Sequence, residues 1–124
     1  MRAVAGTSTR GHYTPAMISG NIVYVSGQTS ADPKTGMPAK GGIDAEAQMA
    51  LEKLETVLKD AGCSKNQVVM CRVYIVSTDD WAPVNQVYSQ FFGNHKPARA
   101  IIPIRELNNG CRVEIEAIAE LSVE

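Results

Sequence analysis

The chain has 124 residues, 44% of them hydrophobic and 20% charged, which fits one globular domain over residues 1–124 and excludes a disordered chain. Twelve Lys and Arg against 13 Asp and Glu leave a net charge of -1. That is not the basic surplus of a protein that lives on phosphate contacts. No apolar run approaches the ~18 residues of a membrane span, and residues 1–10 lack the apolar core of a secretory signal.

Met17-Ile18 and Ile22-Val23-Tyr24-Val25 flank the turn sequence Ser19-Gly20-Asn21 and predict a β-hairpin. A second turn follows at Asp32-Pro33-Lys34-Thr35-Gly36. From Ile43 to Ala61, Ala47, Ala50, Leu51, Leu54, Val57 and Leu58 recur at helical spacing, with Asp44 as candidate N-cap and Gly62 as stop. Val68 to Val76 is rich in β-branched residues and reads as a central strand. Asp79 or Asp80 then opens a second helix, with Pro83 in its first turn and Val84, Val87, Tyr88, Phe91 and Phe92 on its apolar face. Arg99 to Ile104 predicts a short strand. Val113, Ile115, Ala117, Ala119 and Leu121 alternate with polar residues and predict a long strand with one covered face. The order β-β-α-β-α-β-β predicts a two-layer α+β sandwich, with both helices on one face of a mixed sheet. The other face then needs a cover, which predicts oligomerisation.

Arg99 opens one strand, and Glu114 lies on the next after a turn at Asn108-Asn109-Gly110. Antiparallel pairing would bring them together. A guanidinium binds a carboxylate through two parallel bonds, and a carboxylate can take a proton from water and return it to a leaving group. The competing expectation is a plain cross-strand ion pair. Arg72, Arg105 and Arg112 are rival anion binders, and Arg105 with Glu106 is expected on an exposed hairpin. His12 and His95 stand beside loops and read as surface or structural residues. Cys63, Cys71 and Cys111 are odd in number and widely spaced, with no CxxC pair. They predict neither a disulfide framework nor a zinc site, and they fit a reducing, cytoplasmic setting. Cys71 reads as a buried small hydrophobe.

Several pieces then form a pattern: Gly11-His12-Tyr13, Gly20-Asn21 with Val25-Ser26-Gly27-Gln28, the Asp32–Gly36 turn, Val84-Asn85 with Tyr88 and Phe91-Phe92, Pro97-Ala98-Arg99, and Val113 to Ala119. In this order and at these separations the chain resembles the RidA/YjgF family of enamine/imine deaminases, also labelled endoribonuclease L-PSP, over nearly its whole length. The resemblance implies a chorismate-mutase-like sandwich and a homotrimer with active sites between subunits. It implies that Arg99 binds the substrate carboxylate and Glu114 activates the attacking water. Tyr13, Ser26, Gly27 and Asn85 match positions that line or support the cleft, and the backbone N–H of Ile101 matches a further contact. No metal or organic cofactor is implied. Three departures are visible: Ile101 stands where many members have Cys, His12 stands where Pro is common before the Tyr, and the loop 93–96 is shorter than in many relatives.

The expected activity is hydrolysis of 2-aminoacrylate, 2-iminopropanoate or 2-iminobutanoate to 2-keto acids and ammonia, a form of metabolite damage control. Two alternatives stand beside it. One is the endoribonuclease or translation-inhibitor activity with which such proteins have been labelled, which the near-neutral charge disfavours. The other is a non-catalytic small-carboxylate sensor or chaperone-like trimer.

Overall fold

The computed structural model describes residues 1–5 and 11–122. Residues 6–10 of the N-terminal segment read as no secretory signal lie outside the described residues. Strands β1 (Arg2–Ala3), β2 (Ala16–Ser19), β3 (Ile22–Thr29), β4 (Val68–Ile75), β5 (Ala98–Pro103) and β6 (Val113–Glu120) form one sheet in the order β1-β2-β3-β6-β4-β5. Helices α1 (Ile43–Asp60) and α2 (Trp81–Phe92) cover one face.

The predicted hairpin forms, with Ser19 opposite Ile22 and Gly20 at φ +62° in the turn. Helix α1 follows its periodicity: Ala47, Ala50, Leu51, Leu54 and Leu58 are fully buried against the sheet. Its N-cap is Gly42 at φ +86°, not Asp44, which falls in the first turn instead. There its charge complements the helix dipole without capping it. Asp80 does precede α2 but does not cap it. Its carboxylate is taken by Arg112, at 2.6 Å to Nη2 and 3.2 Å to Nε, while the Ser77 hydroxyl accepts from the Asp79 N–H. Strand β6 alternates as expected, with Val113, Ile115, Ala117 and Ala119 buried. It stops at Glu120, before Leu121.

The expected strand pairing is overturned as well. Strands β5 and β6 do not pair. Strand β5 runs parallel to β4, with Arg99 opposite Cys71, and β4 lies between β5 and β6. The cause is the helix between them: a strand–helix–strand unit returns parallel, on the same sheet, beside its first strand. The long connection 104–112, with a tight turn at Asn108–Gly110, then carries the chain past β4 to β6 on its far side. Neither an antiparallel Arg99–Glu114 pairing nor a cross-strand ion pair exists.

The second face of the sheet has no helix over it. Tyr24, 49% exposed, and the half-buried Met17, Arg72, Tyr74, Glu116 and Ile118 lie there. On this face the Tyr74 hydroxyl donates to Glu116.

Candidate active site

Glu114 belongs to β6 on the uncovered face, opposite Thr29 of β3 on one side and Tyr74 of β4 on the other. The β3–β6 ladder carries a bulge: β3 advances from Val25 to Gln28 while β6 advances only from Ala117 to Ile115. Ser26 and Gly27 occupy that bulge. The Ser26 hydroxyl donates to the Thr14 carbonyl at 2.6 Å and its N–H to the Pro15 carbonyl at 2.9 Å. These bonds tie the segment carrying Tyr13, 52% exposed, to the strand beside Glu114. Gly27 lies directly against the Glu114 carboxyl group. Glu114, Thr29, Glu106, Leu107, Asn108 and Asn109 line an open cleft of about 580 Å³. Partial burial, then the neighbouring Glu116 carboxylate, push Glu114 above the ordinary carboxylate range, while Lys53 opposes them. A carboxyl group so placed holds a proton more readily than a solvated one, which suits exchange of a proton with water.

Arg99 forms a second group. It points to the helix side of the edge strand, in the row of Cys71. Its Nη1 donates to Asn85 Oδ1 at 2.8 Å, and its guanidinium lies 4.9 Å from the Tyr88 ring and 5.7 Å from the Trp81 ring. Arg99 is exposed, so a guanidinium braced by one amide and two rings faces solvent. Ile101 follows on the same strand and the same side, opposite Val73, packed against the core. Below them the Cys71 thiol is pushed by burial up to about 11, which keeps it protonated and inert at neutral pH.

The structure therefore gathers the predicted residues into two groups. Glu114, Gly27, Ser26 and the Tyr13 segment form one; Arg99, Asn85 and Ile101 form the other. Within one chain they do not meet. Arg99 and Glu114 point to opposite faces. They stand two strands and three residue positions apart, roughly 10 Å in each direction.

Other expectations find their places. Arg112 is committed to Asp80, and Arg72 lies opposite Glu116. Arg105 is exposed on the connection between β5 and β6, which is not a hairpin. His95 Nε2 bonds the Val68 carbonyl at 2.7 Å, a structural role. All three cysteines are free and buried. A second concavity of about 520 Å³, around Gln67, His95 and Ser122, holds none of the predicted site residues. Among the described residues no cluster of three His, Cys, Asp or Glu could hold a metal ion, and no helix is long and apolar enough to cross a membrane. Sequence reasoning missed Lys53 and Thr29. The only signal was a lysine set between the buried Leu51 and Leu54.

Six strands backed by two helices, with a braced guanidinium at one margin and a half-buried carboxyl group on the open face, define a small α+β protein of the L-PSP type. The family model described as Endoribonuclease L-PSP matches residues 5–121. The chain belongs to this family, the RidA/YjgF family. It is 38% identical to human 2-iminobutanoate/2-iminopropanoate deaminase, over 88% of this chain and 80% of that one. It is 39% identical to a RutC family protein of Pyrococcus abyssi, over 88% and 86%. Among solved structures, RidA from the Antarctic bacterium Psychrobacter superposes with a TM-score of 0.89 at 33% identity, covering 97% of this chain and 100% of that one. E. coli TdcF with bound serine superposes at 0.90 and 29% identity, covering 98% and 100%.

Proposed function

We propose that this protein hydrolyses small 2-imino acids, such as 2-iminopropanoate and 2-iminobutanoate, to 2-keto acids and ammonia. We further propose that each site is shared between copies of the chain in a homotrimer, Arg99 coming from one copy and Glu114 from the next. The observation that carries this reading is the split itself. A braced guanidinium on the edge strand and a half-buried carboxyl group on an interior strand point to opposite faces of one chain, the latter to the face with no cover. Supporting it, several relatives about 40% identical are named as deaminases of this specificity, and a structural relative holds serine, itself a small carboxylate.

Arg99, held by Asn85 and the two rings, receives the substrate carboxylate through a planar pair of bonds and fixes the imine carbon in place. Glu114 takes a proton from a water as its oxygen attacks that carbon and passes it to the imine nitrogen, forming a tetrahedral amino alcohol. The hydroxyl proton then moves through Glu114 to the amino nitrogen as the C–N bond breaks, so that ammonia leaves and the carbonyl remains. Gly27 leaves the space in which the carboxyl group moves. Water supplies the oxygen and both protons, so the reaction calls for no redox partner.

The direct test generates each imine in situ with an amino-acid oxidase or dehydratase and follows its disappearance with and without the protein. Faster loss of imine, abolished by Arg99→Ala, supports the reading. Wild-type protein that leaves the loss rate unchanged overturns it. RNA cleavage by the same preparation, lost with Arg99→Ala, would support the ribonuclease alternative instead.

A further inference from the structure

Helix α1 carries a lysine that neither its amphipathic pattern nor the reaction uses. Lys53 is half-buried, and its ammonium donates to the Thr29 carbonyl at 2.9 Å and the Ala31 carbonyl at 3.0 Å, with Thr29 Oγ1 at 3.5 Å. Withdrawing an ammonium from water is costly, and these carbonyls replace the lost water contacts. They are available because β2 pairs with β3 only as far as Val25, which leaves the rest of β3 with an open edge. The Ser30 N–H donates across to the Val113 carbonyl of β6. A trans peptide then aims the Thr29 carbonyl the opposite way, to the edge where Lys53 stands.

Thr29 is the residue registered against Glu114, and both line the cleft. The charged and titratable groups around the Glu114 carboxyl group are Glu116 from its own strand, Tyr74 from β4 and Glu106 across the same cleft, while the charge of Lys53 reaches it from α1 on the other side of the sheet. Lys53 in turn faces Asp32 and Cys111. The lysine thus reaches the catalytic wall in two ways, by hydrogen bonds to the strand beside Glu114 and by its charge.

We propose that Lys53 is a positioning residue for Glu114, clamping the open edge of β3 on which that carboxyl group is registered and balancing the negative charge of Glu116. The proposal rests on the imine-hydrolase reading only for its effect on rate; its effect on Glu114 itself does not depend on which reaction the protein performs. Without the ammonium, Glu114 holds its proton to higher pH, and the fraction ready to accept one from water falls at any pH on the acid side.

The test compares wild type with Lys53→Met, which keeps the apolar stem, and Lys53→Arg, which keeps the charge. Two readouts are taken on the whole protein. One is ¹³C NMR titration of glutamate side-chain carboxyl carbons, with the Glu114 signal identified by its loss in Glu114→Gln. The other is the pH dependence of kcat/KM with 2-iminobutanoate. In Lys53→Met both the Glu114 titration and the acid limb move to higher pH, the rate on that limb falling about tenfold per unit moved. KM changes by less than about twofold, because the carboxylate anchor is untouched. Lys53→Arg returns both curves toward wild type. A Glu114 signal that titrates identically in folded Lys53→Met overturns the proposal, whatever the activity. A moved Glu114 signal in a protein without imine turnover sustains the positioning role and refutes the reaction instead. Should Lys53→Met not fold, Lys53→Gln, which retains donors for the Thr29 carbonyl without the charge, carries the same comparison.

Discussion

Gly27 and Glu114 are in such close approach that a Cβ at Gly27 would lie 2.9 Å from the carboxyl carbon and 2.9 Å from Oε2. Its backbone is not in the left-handed region, so alanine is conformationally acceptable there. The methyl group would push the end of a flexible side chain, not backbone. Gly27→Ala is therefore expected to leave stability within about 0.5 kcal/mol. By moving the carboxyl group on the scale of an ångström, it should cut imine turnover by about 10²-fold. Thermal melts beside the turnover assay check this; equal losses of both would show a fold defect instead.

Glu114→Gln should lower turnover by about 10²–10⁴-fold, the contribution of one acid–base group. Its effect on stability has the opposite sign. The folded protein binds the Glu114 proton more tightly than the unfolded chain does, because burial and then Glu116 raise its pKa. The native state is thus favoured below the unfolded carboxyl range and loses that advantage as pH rises through the folded value. At neutral pH the ionised group is a net cost that glutamine lacks. Glu114→Gln should melt above wild type near pH 7 and level with it below about pH 4. A variant that melts lower at neutral pH would refute the electrostatic argument.

Arg99→Lys keeps a charge but not the fork, and it should weaken substrate binding roughly 10- to 100-fold, the worth of one charge-assisted hydrogen bond. Arg99→Ala should be nearly inactive. Since Arg99 and Glu114 of one chain face opposite ways, two inactive proteins ought to rescue each other. When Arg99→Ala and Glu114→Gln chains are unfolded, mixed equally and refolded together, about a quarter of the sites should again carry both groups. Activity near a quarter of wild type supports a shared site. None at all, from mixed oligomers of confirmed composition, would sink it.

Glu46 is a buried carboxyl group of α1, 5% exposed, whose Oε1 accepts from the Ser30 hydroxyl at 2.8 Å and the Arg112 N–H at 2.9 Å. It joins the end of β3 to the start of β6, the frame on which Glu114 stands. Glu46→Ala orphans both donors and should cost about 2–5 kcal/mol. Denaturant unfolding measures this. Adding Ser30→Ala should cost less than the two separate losses combined, since one orphaned donor is removed.

Both helices were legible because their apolar residues repeat at 3.6 and meet one sheet. Strand β6 was legible because Val113, Ile115, Ala117 and Ala119 alternate without interruption. The partner of β5 was not. The Asn108-Asn109-Gly110 turn suggested a hairpin, but the helix before Pro97 had already fixed a parallel return beside β4. Turn residues record local geometry, whereas neighbours in a sheet are set by the whole crossover. The caps were misread for a related reason: the Asp80 carboxylate had a tertiary partner in Arg112, and at Gly42 the backbone conformation required glycine. At the site, the motif pointed to Arg99, Glu114, Gly27, Ser26 and Asn85 by resemblance. Their division between two faces depends on strand order and could not be read from spacing. Lys53 left little more than its place between two buried leucines, because its carbonyl partners are main-chain atoms, which have no residue type.

Trp81 is the only tryptophan in the chain, and it stands 5.7 Å from the Arg99 guanidinium. Indole emission responds to the position and screening of a nearby positive charge. The molecule therefore contains its own optical gauge of the proposed anchor: a carboxylate that engages the guanidinium would alter the field at the ring before any bond is broken. Equilibrium titration with a stable keto acid can be followed by intrinsic fluorescence, separating capture of the anion from the chemical step without any label.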